Sequence, residues 1–497
     1  MHRIQRLSFS FVAALVGVLL GGCGKSETSN SDAASTQASL SAPGGKSLEE
    51  RIAAVVQPLV DDGWTKGLIV GVVQNGKPSY FPFGALGDGS GSRPDKDSVF
   101  EIGSVTKVFT ALVLADMATK GEVSLDDPIA KHAPADWKIS SSVGKPITLA
   151  SLAAHTSGLP VVPGNFWKQG DKIYDSNVGG QRWREFSVEQ FGQYFADPAP
   201  PIGSGGKYAY SNLGAGLLGH LLERVGERRI DDLIEERICV PLGMTDTSFI
   251  LDPSGPGHDV DGEPADFWPI GDSALGGAFA LRSTCSDLLK FAAATLDPAG
   301  SPMKETLELA RQPRGDINEL EKTALGWKVN KFGVVYTTGA TGGFRSAMLL
   351  HPKTRTAVAL LANTQVGGVT GGRAALFDAL GGSLLNVVLA APPIDVSFPS
   401  PVSIEVGKLA DYPGYYSPEN GAREPSFPIR VEDGKLITVG PGGVDARLWP
   451  AAEDVFFIRA YVAELKFLRD DSGKVIGADL AIEGKQARLK RQDKKPD

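Results

Sequence analysis

The sequence predicts an α+β domain, an antiparallel sheet flanked by helices, followed by a small all-β barrel. Three observations carry this. Apolar strand runs open and close the first 390 residues, helical periodicity fills the stretch between them, and beyond about residue 405 short apolar runs alternate with turn signals. The chain has 497 residues, too many for one ordinary domain. Its formal net charge of −8 excludes nucleic acid as a partner, because phosphates call for a basic face.

The N-terminal segment is a targeting sequence rather than part of the fold. Arg3 and Arg6 precede an apolar stretch from Leu7 to Leu20 that ends in Leu20-Gly21-Gly22-Cys23. That stretch falls short of the roughly 20 apolar residues a membrane span needs, but suits a signal peptide. That ending resembles the bacterial lipobox, which implies that residues 1–22 are removed and that Cys23 carries a lipid. The expected location is therefore the bacterial cell envelope, on the periplasmic side of a membrane. Residues 23–47, rich in Ser, Thr, Ala and Gly, form a flexible tether. Cys239 and Cys285 remain, as a disulfide or as two buried thiols.

Order begins with a helix near Leu48, whose Ile52, Val55, Val56 and Leu59 share one face. A hairpin follows, Leu68 to Val73 and Pro78 to Phe83 about the turn Asn75-Gly76. From Ser104 to about Lys120 the pattern is that of an amphipathic helix with Val105, Val108, Phe109 and Leu112 on one side. Further helices are expected near Val188–Phe195, Gly214–Glu223, Ile230–Ile238 and Asp287–Ala294, and strands at Gly333–Thr337, Ala347–Leu350 and Ala357–Leu361. Residues 48–391 form the first domain. A proline-rich linker covers 392–404, and residues 405–490 form the barrel, with turns at Asp433-Gly434, Pro441-Gly442-Gly443, Ser472-Gly473 and Glu483-Gly484.

The chemistry centres on Ser104-Val105-Thr106-Lys107. Positions i and i+3 share a helix face, so the amine can lie beside the hydroxyl and activate it if burial lowers its pKa. The spacing recurs at Ser142/Lys145, Ser204/Lys207 and Ser301/Lys304, but those sit among turn residues and only Ser104 opens a long helix. Tyr210-Ser211-Asn212 opens another helix. A Tyr hydroxyl near the Lys can shuttle a proton to a leaving group, although Ser and Asn at that place also serve as caps. No serine stands at nucleophile-elbow spacing between glycines. The histidines at 2, 132, 155, 220, 258 and 351 show no metal-ligand spacing, so no metal or cofactor is expected, and His155 is expected to hold a loop.

Together these segments resemble the penicillin-recognising serine hydrolases, in the branch of class C β-lactamases, D,D-peptidases and esterases. Phe100 to Lys107, Gly121 to Pro128, His155 to Pro160, Pro241 to Thr247 and Leu325-Gly326-Trp327 follow the order of that family's motifs over about residues 50–390. The resemblance implies a β-lactamase/transpeptidase-like fold and acyl transfer through a Ser104 ester. Lys107 and Tyr210 would manage protons, and Asn212 would orient the group. Backbone N–H groups of Ser104 and Ala340 would form the oxyanion hole, beside Thr338 and Gly339. Implied substrates are D-amino-acid peptides of the wall, β-lactams or small esters.

The sequence departs from this family at the third motif. Thr337 stands where Lys or His is usual, and a neutral hydroxyl cannot supply a charge-assisted hydrogen bond, which is roughly twice as strong. Arg345 stands close by in sequence, either as a substitute cation or as a structural residue of that strand. The departure favours a peptidase or esterase over an efficient β-lactamase. It also leaves open a penicillin- or peptide-binding sensor without turnover. From Tyr412-Pro413-Gly414-Tyr415-Tyr416 and Phe467 to Asp470, the last domain resembles small lipocalin-like barrels appended to such hydrolases, and is expected to shape substrate access, to hold an apolar ligand or to serve as a passive stabilising domain.

Overall fold

The computed structural model describes residues 45–494 apart from 138, 140–145, 169–170, 172–175, 197–205, 269–271, 368–373, 397, 420–425, 441–442 and 483. The targeting segment, nearly all of the tether, and Ser142, Lys145 and Ser204 lie outside the described residues.

The first helix, Leu48–Asp61, starts where its cap dictates. Ser47 Oγ accepts the Glu50 N–H, and the Glu50 carboxylate accepts the Ser47 N–H. Such a reciprocal cap stabilises a helix start by about 1 kcal/mol. Ile52, Val56 and Leu59 are buried, and the chain then enters the hairpin Gly67–Gln74 and Lys77–Gly84. At its tip Asn75 and Gly76 both have positive φ, 51° and 76°, the geometry that matches the twist of a two-residue hairpin.

This hairpin forms one side of an eight-stranded antiparallel sheet. Its order is Lys77–Gly84, Gly67–Gln74, Thr356–Ala362, Arg345–His351, Val335–Ala340, Lys328–Asn330, Glu321–Thr323, Gly315–Asn318. Val70 faces Leu360 across the junction, so the two ends of the domain do close the sheet, as expected.

One face of the sheet is covered by Leu48–Asp61 and by Ala374–Val388, a helix that the sequence pattern does not mark. Its middle carries Gly381 and Gly382, which weaken a helical signal. Packing requires the first, because a Cβ on Gly381 would lie 2.6 Å from a Leu349 methyl.

The other face holds Thr106–Thr119, Asn212–Gly226 and Cys285–Leu296. The expectation of an amphipathic helix after Ser104 is corrected here. Every residue from Thr106 to Met117 is buried, because the helix runs between the sheet and a second layer of helices. The stretch expected to be helical over Ile230–Ile238 is helical over Ile230–Ile234 and then widens into a π-turn, Glu235–Cys239. Cys239 and Cys285 are free, buried thiols.

The C-terminal strands, from Gly414–Pro418 to Lys485–Gln492, close into an eight-stranded barrel in which each pairs with the next and the last with the first. Its interior is packed with Tyr412, Tyr416, Leu436, Leu448, Phe456 and Phe467. An eight-stranded barrel has just room for such side chains, and these fill it. The barrel docks through Arg459, which is buried and donates to the carbonyls of Asp62 and Gly63, and through Phe457, stacked on Trp64.

Candidate active site

The strand Val99–Glu101 leads into a tight turn at Gly103. Gly103 has φ +50°, and a Cβ there would stand 2.7 Å from both the N and the O of Ala340. Only glycine allows the start of the Ser104 turn to approach the strand Val335–Ala340 this closely. Ser104 sits in the middle of a short 3₁₀ turn, Gly103–Val105, directly ahead of the buried helix. Thr106 Oγ1 accepts the Leu281 N–H at 3.1 Å and ties that turn to the loop ahead of strand Arg282–Thr284.

Lys107 lies one turn further on. Its Nζ is 3.0 Å from Ser104 Oγ and 2.7 Å from the Ala278 carbonyl, with the Tyr210 ring 5.1 Å away. Burial pulls its pKa well below the ordinary lysine value, because a charged amine there forfeits its hydration. Tyr210 reaches the same oxygen from the other side, its hydroxyl donating to Ser104 Oγ at 2.7 Å. Burial pushes the phenol pKa upward, so it stays protonated. Of the neighbouring groups, the amine is the one poised to accept a proton and the phenol the one poised to give it.

Tyr210 is held by the helix that it precedes and by the imidazole that it faces. Ser211 caps the helix Asn212–Gly226, accepting the Gly214 N–H at 2.8 Å and donating to the Pro160 carbonyl at 2.6 Å. His155, at φ +56°, accepts the Ser211 N–H on Nδ1 at 3.2 Å and packs its ring 4.7 Å from that of Tyr210. Burial, first of all, and then the nearness of Lys328 lower its pKa to about 3. It therefore stays neutral and holds a loop, which matches the sequence expectation. Asn212 begins the helix, its N–H donating to the Val161 carbonyl, and its side-chain oxygen is buried without a hydrogen-bond partner.

The strand Val335–Ala340 divides its residues between the two faces of the sheet. A Cβ on Gly339 would lie 2.0 Å from the Ile102 carbonyl and 3.0 Å from Ser104 N, so Gly339 and Thr337 face Ser104. Thr338, one residue out of phase, instead hydrogen-bonds Asp378 on the opposite face. Arg345 stands on that opposite face too, donating to the Val366 carbonyl at 3.0 Å and lying over Phe377, while its neighbour Ser346 reaches Ile102 O. Thr338 and Arg345 therefore turn their side chains away from Ser104.

The backbone of Ala340 is oriented by the strand ladder. Thr341 N–H pairs with Phe344 O across the turn that leads into strand Arg345–His351, so the N–H of Ala340 points the other way. On that side the strand Lys328–Asn330 pairs only with Val335 and Tyr336, and the space is taken by the Ser104 turn. Ala278, His155 and Ser211 contribute to the site without standing among the expected catalytic residues. His155 carries a signal in the sequence through its place in a family turn and Ser211 through its place at a helix start, whereas Ala278 carries none.

A profile of the beta-lactamase family matches residues 52–383. The D-alanyl-D-alanine-carboxypeptidase/endopeptidase AmpH of Escherichia coli (strain K12) is 28% identical over 305 residues, 58% of this chain and 76% of its own. Penicillin-binding protein 4 of Amycolatopsis lactamdurans is 28% identical over 386 residues, 72% of this chain and 94% of its own. A beta-lactamase of Yersinia enterocolitica is 26% identical over 369 residues, 64% and 88% of the two chains. Among solved structures, the octameric penicillin-binding protein homologue from Pyrococcus abyssi has a TM-score of 0.60 at 22% identity, covering 90% of this chain and 100% of that one. The class C beta lactamase from Rhodobacter sphaeroides has a TM-score of 0.57 at 22% identity, covering 69% and 100%. At these identities the two structures establish the fold.

Proposed function

The chain belongs to the beta-lactamase family of serine hydrolases, and from that premise we propose that Ser104 is its nucleophile in acyl transfer. The observation that carries the reading is the convergence of Lys107 Nζ and the Tyr210 hydroxyl on Ser104 Oγ, at 3.0 and 2.7 Å. The neutral amine of Lys107 takes the hydroxyl proton as Oγ bonds to the substrate carbonyl carbon. The N–H groups of Ser104 and Ala340 hold the oxyanion, with Gly339 giving the room. Tyr210 hands its proton to the leaving group and is reprotonated from Lys107. Water then attacks the Ser104 ester by the same steps in reverse. Asn212, at the mouth of the helix beside Tyr210, orients the acyl group.

We assign the substrate class as D-amino-acid peptides of the wall or small esters, ahead of β-lactams. Thr337 supports this order, being a neutral, buried side chain on the Ser104 face where a cation would clasp a substrate carboxylate. The AmpH relative is named for a peptidase activity of this kind. The signal-peptide pattern of residues 1–22, directly ahead of Cys23, supports placement in the bacterial envelope, lipid-anchored and periplasmic.

The test is labelling of the untethered protein with a fluorescent penicillin and with activated esters, beside Ser104→Ala. Ester turnover that disappears in Ser104→Ala, with slower penicillin labelling, is the expected result. Equal rates in both proteins would sink the assignment.

A further inference from the structure

We propose that Asp261, held by Trp449 of the barrel, is a positioning residue for Ala340, so that the barrel completes the active site instead of merely accompanying it. This rests on the oxyanion role given to Ala340 above. The link between them is a small ribbon, Gly257–His258 paired with Pro264–Ala265, which lies between the barrel and the turn just after Ala340.

On its inner side the ribbon grips that turn. His258 N–H is shared between the carbonyls of Gly343, at 3.2 Å, and Asn363, at 3.0 Å. Gly257 and Gly343 are so close that a Cβ on either would lie 2.8 or 2.6 Å from the other's Cα. The turn itself is closed by Thr341 N–H on Phe344 O, and Gln365 Nε2 donates to Thr341 O at 3.0 Å. Ala340 is the residue just before this closure.

On its outer side the ribbon's loop is cross-linked by its own hydrogen bonds and reaches the barrel. Asp259 Oδ1 accepts the N–H groups of Asp261 and Glu263, both at 2.9 Å. Asp261 Oδ1 then accepts the Trp449 indole N–H at 2.7 Å, and Glu263 pairs with Lys435 at 2.7 Å. The guanidinium groups of Arg447 and Arg459 lie 3.5 and 3.7 Å from the Trp449 ring centre. Burial raises the Asp261 pKa. From the indole to Ala340 every step is a hydrogen bond, a closed turn or glycine-to-glycine contact. An oxyanion donor works only when aimed within tenths of an ångström, so such a brace acts on rate.

The experiment uses the full chain without its leader. Asp261→Ala, Trp449→Phe, the double variant and Asp261→Asn are compared by single-turnover acylation with an activated ester and by hydrogen exchange over residues 336–346. Each single change should slow acylation about tenfold at nearly unchanged KM and speed amide exchange in that segment by roughly tenfold. The double variant should be no worse than either single change, since both break one contact, and Asp261→Asn should restore both readouts because its amide oxygen still accepts. Unchanged acylation and exchange, additive losses, or slower acylation with exchange at the wild-type rate would each overturn the proposal. Exchange needs no turnover, so a wild-type protein that is never acylated would reject the function while exchange still decides the brace.

Discussion

The Tyr210 hydroxyl donates to Ser104 Oγ at 2.7 Å across 106 positions of sequence, and the His155 ring backs the phenol at 4.7 Å. The fold uses a helix cap, a buried imidazole and a left-handed residue to place one hydroxyl.

Tyr210→Phe keeps the ring and its packing but removes the proton donor. Turnover of activated esters should fall by about 10²–10³-fold, the usual worth of a positioned acid or base, with little change in melting temperature. Retention of activity to within about threefold would exclude the phenol from proton transfer.

The pH profile is set by the two shifts beside Ser104. Lys107 must be neutral to act as a base, and burial lowers its pKa, so kcat/KM should rise with pH through that lowered value and then level off. Tyr210 is shifted upward and His155 down to about 3, so neither ends the plateau near neutrality. The stability contribution has the same sign. The unfolded chain holds the Lys107 proton up to about pH 10.4 and the folded one releases it earlier, so stability rises with pH across that window. Lys107→Met should abolish turnover and flatten this rise, as read from denaturant midpoints at several pH values.

His155→Ala removes the acceptor for the Ser211 N–H and places a residue with a Cβ but no polar group at φ +56°. A loss of about 1–3 kcal/mol in unfolding free energy is expected, together with a fall in kcat as Tyr210 loses its backing. His155→Asn, which accepts a hydrogen bond and tolerates that φ, should recover much of both.

Gly339→Ala would put a methyl 2.0 Å from the Ile102 carbonyl and 3.0 Å from Ser104 N. The strand must shift, and with it Ala340. Acylation should drop by at least about 10²-fold, as when an oxyanion donor is lost, and stopped-flow acylation of the purified variant checks it.

Thr337→Lys would restore a cation on the Ser104 face of the strand. The ratio of penicillin acylation to neutral-ester acylation should rise about tenfold, because only the former carries a carboxylate to pair with the new charge. An unchanged ratio would mean that Thr337 does not govern substrate charge.

Much of the fold was legible because its signals are local. Asn75-Gly76 needs two positive φ values whatever surrounds it, and the Ser104–Lys107 spacing brings an amine near a hydroxyl over one turn. The sequence marks a strand at Gly333–Thr337, short of the observed Val335–Ala340, and does not tell which face each residue takes. A register shift of one residue would exchange Thr337 and Thr338, and pairing of Gly339 with Ser346 is what fixes the choice.

The sequence by itself determined the Ser104–Lys107 spacing, the Tyr210 helix start, the closing of the sheet by its two ends and the barrel as a separate run of strands. These rest on short-range backbone preferences and on the periodicity of apolar side chains. The tertiary structure alone decided that the helix Thr106–Thr119 is buried on all sides and that Thr338 and Arg345 turn from the site. It also decided that Trp449 reaches Asp261 across 188 positions. Each of these is a contact between segments far apart in the chain. Their energy comes from desolvation and close packing, which exist only once the layers have come together.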